Sequence, residues 1–344
     1  MPHPVWRFRL IPSASLYADH MIDLHAHYLS PSVLAAASKG LLPASWDENR
    51  RVIEFPSGPS DPVLPGLSDL EERIRWNSER GIDIQVLAPW MDITGDDLDP
   101  GQARIWCEAM NDGLAHDIDG NAQFRALAAL PLVNGGTAAG ELRRCVGEFG
   151  FSGGAIPSQV NGQDLDEAGL EPLWEAAEDL GVLLFMHPYR VMGGRRMGRD
   201  HLGNVCGFPF DTTLAAMRLY FSEVFTTWPR LKILLAHGGG TLPYLAGRAA
   251  HASRYVPTVT RRVDHPDEIL QMFYYDTMLH DPRALVSLIR TVGTERVVGG
   301  TDAPFPMWVD DPVEHIEGAC RRAGVGRDAL ERVLHGTAAG LLTR

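Results

Sequence analysis

Hydrophobic and polar residues alternate strictly over residues 22–27, near the start of the chain. Side chains two apart in a β-strand lie on the same face. The pattern therefore predicts a strand with His25 and His27 on one face and Asp23 below them. Two imidazoles at the end of one strand can reach the same ion. Because a His-X-His motif also occurs by chance, a pair of surface histidines is the alternative interpretation.

Three later apolar runs also end in a polar residue. They end at His187, His237 and Asp302. Together with the first strand, four predicted strands would carry histidine or aspartate at their carboxyl ends. Such a combination is much harder to obtain by accident than a single short motif.

Strand-like and helix-like segments alternate along the chain, and eight such strands predict an α/β protein with a (β/α)8 barrel. An open doubly wound sheet is the alternative. It would need a glycine-rich phosphate turn after its first strand, where residues 28–31 read Tyr-Leu-Ser-Pro. The predicted strands are 21–27, 82–89, 124–132, 154–157, 182–188, 231–237, 273–280 and 296–302. The predicted helices are 68–80, 100–121, 136–149, 166–180, 212–228, 242 into the 250s and 282–292, with 311–323, 327–334 and 336–342 in the tail.

Two long loops interrupt the alternation. Residues 28–70 are predicted to be an insertion at the carboxyl end of the first strand, with a short helix at 31–38 and a small hairpin near 51–55. Long loops in compact domains usually have a function or move. The next helix is predicted to begin with Ser68 as its N-cap, in a capping box with Glu71. The second loop, 189–210, is rich in glycine and arginine.

Composition limits the class of protein. The chain has 344 residues, 45% of them hydrophobic, which suits a single domain at 21–344 behind an N-terminal extension of residues 1–20. The net charge is −13 and no basic run occurs, which argues against nucleic acid or an anionic membrane as a partner. No apolar run approaches the ~20 residues of a membrane span.

The thiols and the N-terminus point to a cytoplasmic protein. The four cysteines, Cys107, Cys145, Cys206 and Cys320, are widely spaced, so we expect reduced thiols rather than disulfides. Two arginines within the first ten residues interrupt the apolar stretch that a signal peptide would need. Met21 is an alternative start.

The residues at the strand ends are suited to binding a metal ion. Imidazole and carboxylate together favour zinc, manganese, iron or cobalt. Three histidines and one carboxylate would leave a coordination position open, as catalytic sites require. Each histidine taken singly has an alternative interpretation, a hydrogen-bonded core residue, but their joint position favours a metal.

Several segments resemble the amidohydrolase superfamily. They are the His25-Ala-His27 strand, His187, the Ala-His-Gly-Gly-Gly segment at 236–240 and the Gly-Thr-Asp-Ala-Pro-Phe-Pro segment at 300–306. Segments 207–213, 275–277 and 280–282 resemble, more narrowly, the branch typified by aminocarboxymuconate semialdehyde decarboxylase. The similarity runs from about Met21 to the C-terminus. It implies a divalent metal ion, zinc or else manganese, held by His25, His27, His187 and Asp302, with His237 beside it as acid/base and substrate contact.

The lysine content bears on the number of metal ions. Members of the superfamily with two metals bridge them with a carbamylated lysine at the end of strand four. That region, 153–159, contains no lysine here, and the chain has only Lys39 and Lys232. We therefore expect one metal ion.

The resemblance also implies residues that bind the substrate. Arginine holds a carboxylate in a bidentate fork, and Arg51 matches the family's substrate arginine, with Arg50 as an alternative register. Arg248 matches an arginine that the family delivers across a dimer interface, which implies a homodimer or higher oligomer. Tyr189 stands where the family has tryptophan, so its hydroxyl is a further candidate contact. For both arginines, a solvated surface residue is the alternative.

The resemblance implies a metal-dependent, non-oxidative decarboxylase of an unsaturated or aromatic carboxylic acid, with His237 and Asp302 as catalytic residues. The alternative enzyme is a metal-dependent hydrolase, such as a lactonase or amidase, or a hydratase of the same superfamily. A third possibility is a metal-dependent binding protein that has lost its activity. The complete ligand set argues against the third, because decay usually removes a ligand.

Overall fold

Eight parallel strands form the centre of the molecule. The computed structural model describes residues 21–343, so the predicted extension 1–20 and the last residue of the predicted domain lie outside the described part. The strands are β1 (Met21–Tyr28), β2 (Ile82–Pro89), β3 (Phe124–Ala128), β4 (Gly153–Ile156), β5 (Leu183–Met186), β6 (Lys232–Leu235), β7 (Phe273–Asp276) and β8 (Val297–Val298). They pair in sequence order.

The sheet closes on itself. The N–H of Leu24 donates to the carbonyl of Gly299 at 2.9 Å, and the N–H of His27 donates to the carbonyl of Ala303 at 2.8 Å. A parallel bridge joins Ala26 to Ala303. The predicted (β/α)8 barrel is therefore confirmed, and the open doubly wound sheet is excluded. We call this junction between β1 and residues 299–303 the seam.

Helices surround the barrel and connect its strands. Several predicted bounds are matched closely, as at 31–38, 82–89 and 282–292. The helices are α1 (Pro31–Ser38), α2 (Leu70–Glu79), α3 (Pro100–Ile118), α4 (Gly135–Glu148), α5 (Glu171–Leu180), α6 (Phe208–Phe221), α7 (Val224–Thr227), α8 (Leu242–Tyr255), α9 (Asp267–Leu270), α10 (Pro282–Val292), α11 (Pro312–Ala323), α12 (Arg327–Glu331) and α13 (Thr337–Leu342). Among the described residues, no helix is both long and apolar enough to cross a membrane.

The predicted N-cap of the second helix is wrong. The hydroxyl of Ser68 donates to the carbonyl of Leu29 at 2.7 Å. Asp69 caps α2 instead, and its carboxylate accepts the N–H of Glu72 at 2.8 Å. Because Ser68 makes this tertiary hydrogen bond, which the local sequence does not reveal, the N-cap is Asp69, one residue later than predicted.

Six of the eight predicted strands extend too far at their carboxyl ends. The strands end at Ala128, Ile156, Met186, Leu235, Asp276 and Val298. His237 and Asp302 have φ angles of 56° and 60°. This left-handed conformation cannot continue a strand, so the chain turns where the candidate site begins.

The loop insertions have structure of their own. Residues 45–59 form a small antiparallel sheet of three strands, Ser45–Asp47, Val52–Phe55 and Gly58–Pro59, where only a hairpin was predicted. Gln159–Val160 and Gln163–Asp164 form a short hairpin after β4. The helix predicted at 212–228 is divided into α6 and α7, because Glu223 adopts a φ of 67°.

The barrel interior is apolar below the strand ends. Leu24, Val86, Phe185 and Leu234 pack there in one cluster, which also includes Leu341 of α13. The larger cluster lies between the sheet and its helices. All four cysteines are free thiols, as predicted.

Candidate metal centre

The structure brings four of the predicted residues together at the carboxyl ends of the strands. His25, His27, His187 and Asp302 are all buried, and one donor atom from each lies within 4.8 Å of the others. The ring centroid of His187 is 5.1 Å from that of His25 and 4.9 Å from that of His27. The four donor residues thus surround a common point.

A β-bulge directs the two histidines of β1 toward this point. Asp23 pairs with Gln85 and Ala26 with Leu87, so β1 has one residue more than β2 over this stretch. Leu24 and His25 both point into the interior as a result. Leu24 belongs to the same buried cluster as Phe185, and the ring centroid of His25 lies 4.9 Å from that of Phe185. The side chain of Asp23 points to the opposite face, where its carboxylate accepts a hydrogen bond from Gln85 Nε2. The expectation that Asp23 lies below the histidines on the same face is therefore wrong.

Hydrogen bonds from the far side of each ring fix the orientation of the β1 histidines. His25 Nδ1 lies 2.6 Å from Asp276 Oδ2, and His27 Nδ1 lies 3.1 Å from the carbonyl of Pro89. The Nε2 atom of each ring is then turned toward Asp302, 3.3 Å from its Oδ1. A histidine that binds a metal through one nitrogen commonly donates the other N–H in this way.

The donor atoms lack the partners that buried polar atoms normally have. His25 Nε2, His27 Nε2, both ring nitrogens of His187 and Asp302 Oδ1 are buried and without a hydrogen bond in the described part of the chain. Buried polar groups without partners are rare and costly. Three imidazoles and a carboxylate converging in this way fit a divalent transition metal.

The electrostatics of His187 and Asp302 suit metal ligation. Burial lowers the pKa of His187 well below its usual value, and the neighbouring histidines lower it further. Burial acts to raise the pKa of Asp302, but His25 and His237 outweigh it and hold that pKa well below its usual value. His187 is therefore neutral and Asp302 ionised, which are the forms that bind metal ions.

Asp276 is a residue that the sequence analysis missed. Besides His25 Nδ1, its carboxylate accepts the N–H groups of His237 at 3.0 Å, Gly238 at 2.7 Å and Met278 at 3.1 Å. It therefore orients one donor ring and also the turn that carries His237. The segment 275–277, which resembles the family branch, was the signal that could have identified it, because the predicted strand 273–280 hid the strand end at Asp276.

His237 lies beside the four donor residues. Its Nε2 is 3.7 Å from Asp302 Oδ2, and its ring centroid is 5.0 Å from that of His187. Its side chain is 13% exposed, whereas that of Asp302 is 5% exposed. It is thus the histidine of this group that a molecule entering the barrel mouth meets first.

The three predicted substrate residues lie in different surroundings. The hydroxyl of Tyr189 is buried and donates to Asp96. Arg51 is exposed, and its Nε donates to the carbonyl of Val63 at 2.9 Å, while the alternative Arg50 pairs with Glu54. Arg248 is exposed on α8 and makes no hydrogen bond or ion pair with the described residues. None of the three bonds a member of the cluster.

Comparison with known proteins gives a family match over nearly the whole chain. The family model described as amidohydrolase matches residues 22–344. The 2-amino-3-carboxymuconate-6-semialdehyde decarboxylase of Dictyostelium discoideum is 35% identical over 252 residues, which is 72% of this chain and 70% of that protein. The gamma-resorcylate decarboxylase of Polaromonas sp. strain JS666 is 31% identical over 255 residues, 70% of this chain and 78% of that protein.

A solved structure has the same fold. It is the dihydroxybenzoic acid decarboxylase of Polaromonas sp. JS666 with bound manganese and the inhibitor 2-nitroresorcinol. The TM-score is 0.73 at 24% identity, covering 94% of this chain and 96% of that one. At this identity the likeness concerns the barrel architecture.

The donor cluster yields a prediction about metal content. We expect one divalent metal ion per chain in purified protein, and loss of that ion in His187→Ala and in Asp302→Ala, because each removes a donor. Elemental analysis by mass spectrometry measures this. His116→Ala, which changes an exposed histidine on α3, is the control and should keep the ion. Two tightly bound ions per chain, or normal content in both donor variants, would contradict the assignment.

Proposed function

This chain belongs to the amidohydrolase family, in the branch of aminocarboxymuconate semialdehyde decarboxylase, and from this premise we propose that it is a metal-dependent, non-oxidative decarboxylase of an unsaturated or aromatic carboxylic acid. The observation that carries the proposal is the buried set of three histidines and one aspartate at the strand ends, with a further histidine beside it. Relatives above 30% identity that act as decarboxylases favour this reaction over hydrolysis.

Four residues would hold a single divalent ion, namely His25, His27, His187 and Asp302. The segment 153–159 offers no lysine to bridge a second ion, and Lys232 Nζ donates to the carbonyl of Gly181 at 2.8 Å, at the opposite end of the barrel. The ion is zinc or manganese. When bound, it supplies Lewis acidity and orients the substrate.

Decarboxylation requires a proton donor at the reacting carbon. The bond between that carbon and the carboxylate breaks, the electron pair stays on the carbon, and a proton replaces the departing CO2. His237 is placed to hold and deliver a proton, since it borders the cluster and is partly exposed to the barrel mouth. Asp302 Oδ2 lies 3.7 Å from His237 Nε2 and is the second candidate for carrying that proton.

The backbone around His237 supports its role. Asp276 accepts the N–H groups of His237 and Gly238, which fixes the turn after β6. The ring of Phe208 stacks against the imidazole at an interplanar angle of 28°, with ring centroids 6.0 Å apart. These contacts limit the directions in which the ring can point, so its proton reaches a defined position.

Arginines at the rim would recognise the carboxylate of the substrate. Arg51 lies in the insertion after β1, directly before the strand Val52–Phe55, and Tyr189 packs in one buried cluster with Met91 and Phe185. Because the Tyr189 hydroxyl is engaged by Asp96, its ring rather than its hydroxyl would contact the substrate. Four further arginines lie in the loop after β5, at positions 190, 195, 196 and 199.

The working unit is at least a dimer of this chain, with Arg248 entering the active site of the partner. Arg248 is exposed and unpaired within the described residues, on the outer helix α8. Tyr244 and Tyr255 of the same helix are 89% and 71% exposed. Thr213 and Thr241 bond each other at 2.9 Å, which joins the start of α8 to that of α6, where Phe210 and Leu214 are also exposed. This apolar surface fits a second copy of the chain.

The reaction itself can be tested directly. We expect the metal-loaded protein to release CO2 from at least one member of a panel of carboxylated phenols and muconate semialdehydes, with deuterium from D2O incorporated at the carbon that lost it. Trapped CO2 and mass spectrometry of the product measure this, and the His187→Ala variant is the inactive control. Ring opening of lactones or amides without gas release would identify a hydrolase instead, and no turnover of either panel would point to a binding protein.

A substitution at His237 separates catalysis from metal binding. We expect His237→Ala to keep the metal ion and to lose about 10²–10⁴ in kcat, the usual contribution of a general acid or base. His265→Ala, which changes an exposed histidine, should leave both unchanged. Loss of the ion from His237→Ala would make this residue a ligand.

Mixed dimers test the role of Arg248. Arg248→Ala and His237→Ala should each be nearly inactive alone. Co-expressed, they should regain about a quarter of the normal activity, because random pairing makes half of the dimers mixed and each mixed dimer has one intact site. Arg254→Ala on the same helix is the control and should stay active. Co-expression without recovery, or a fully active monomer at high dilution, would contradict delivery across the interface.

A further inference from the structure

Three of the four donor residues lie at the least regular junction of the barrel. β8 has only two residues, Val297–Val298, and the seam beyond it consists of single backbone hydrogen bonds. One of these joins the N–H of Asp302 to the carbonyl of His25 at 2.8 Å. The distance between the β1 histidines and Asp302 therefore depends on whatever else holds the two sides of the seam together.

The guanidinium of Arg73, on α2, lies across this seam. The residue is only 4% exposed. Its Nη2 donates to the carbonyl of His27 at 3.1 Å, on one side of the seam. Its Nη1 lies 3.4 Å from the carbonyl of Ala303, the residue after Asp302, on the other side. One side chain thus contacts the backbone of one donor residue and of the neighbour of another.

Arg73 also connects to the bulge of β1. Its Nη1 donates to Gln85 Oε1 at 3.1 Å, and Gln85 Nε2 donates to Asp23 Oδ2 at 2.8 Å. Asp23 Oδ1 accepts the N–H of His25 at 3.0 Å and that of Thr301 at 3.1 Å. Asp23 therefore satisfies backbone groups on both sides of the seam, and Gln85 links it to Arg73.

Burial bears on the charge of Arg73. It lowers the pKa of Arg73 to about 10, and the nearby carboxyl group of Asp23 opposes that shift. Charged groups without water need such partners and complete hydrogen bonding. Nη2 also donates to the carbonyl of Gly66 at 3.0 Å, so the donors of the planar guanidinium bond acceptors in several different parts of the chain.

We propose that Arg73 is a positioning residue for the metal centre, which sets the separation of His27 and Asp302 by bonding the backbone on both sides of the seam. This inference rests on the proposed metal site. A lysine at this position keeps the charge but offers one ammonium group on a flexible stem, and it cannot reproduce the planar fork. We therefore expect the separation of His27 and Asp302 to change in Arg73→Lys, even where the variant keeps its fold.

The experiment measures metal affinity and ligand geometry rather than turnover. Metal-free chain and its Arg73→Lys variant are titrated with Zn²⁺ against a chromophoric chelator and with Co²⁺ by visible absorption. We expect the Zn²⁺ dissociation constant to rise about 10- to 100-fold, as for other residues that orient metal ligands, with an altered Co²⁺ spectrum. Arg75→Lys, which changes an exposed arginine on the same helix, is the matched control and should behave as the unaltered chain.

The outcomes separate the two proposals. A lower thermal midpoint with unchanged dissociation constant and spectrum would make Arg73 a purely structural residue and overturn the inference. Failure of the unaltered chain to bind either ion would overturn the metal site, and the role of Arg73 with it. Should Arg73→Lys not fold, as judged by circular dichroism, Gln85→Met replaces it. It removes the link to Asp23 and should weaken Zn²⁺ binding severalfold, and unchanged binding would count against the proposal.

Discussion

One extra residue in β1 determines which way its histidines point. In a regular strand, a side chain that follows Leu24 would leave the barrel interior, yet His25 reaches it as Leu24 does. The bulge makes this possible, and it leaves a backbone N–H at His25 that the ladder does not use. Asp23 accepts that N–H and the N–H of Thr301 across the seam. The aspartate is thus part of the backbone structure of the strand, and the metal centre depends on it without containing it.

The candidate site brings together, in a small buried volume, several polar groups whose removal from water is costly. Three imidazoles and a carboxylate converge there, and their free donor and acceptor atoms have no protein partner within the described residues. The opposite sides of the rings are well bonded, to Asp276 and to the carbonyl of Pro89. A protein that satisfies the outer atoms and leaves the inner ones unsatisfied has arranged them for a cation. His237 stands apart because it is partly exposed and because its turn is fixed from behind by Asp276.

The sequence predicted the parts of this arrangement that depend on local pattern. Apolar runs ending in histidine or aspartate indicated the strand ends, and alternation with helices indicated the barrel. It could not predict the bulge, because an inserted residue leaves the alternation of 22–27 intact while reversing the direction of Asp23. Nor could it show that Ser68 bonds Leu29, that Tyr189 bonds Asp96, or that Arg73 lies across the seam, since each contact joins residues far apart in the chain. Asp276 lay inside the predicted strand 273–280, and the resemblance of segment 275–277 to the family gave it no role, so it was not singled out.

The donor residues come from widely separated parts of the chain, His25 from the first strand and Asp302 from the turn after the last. During synthesis on the ribosome, His25 and His27 emerge long before their carboxylate partner. Until residues 299–303 bond β1, the chain has no closed interior and the two histidines have no common point to face. Nascent chains therefore lack the complete donor set, and an ion that needs all four donor residues can bind only after the barrel has closed.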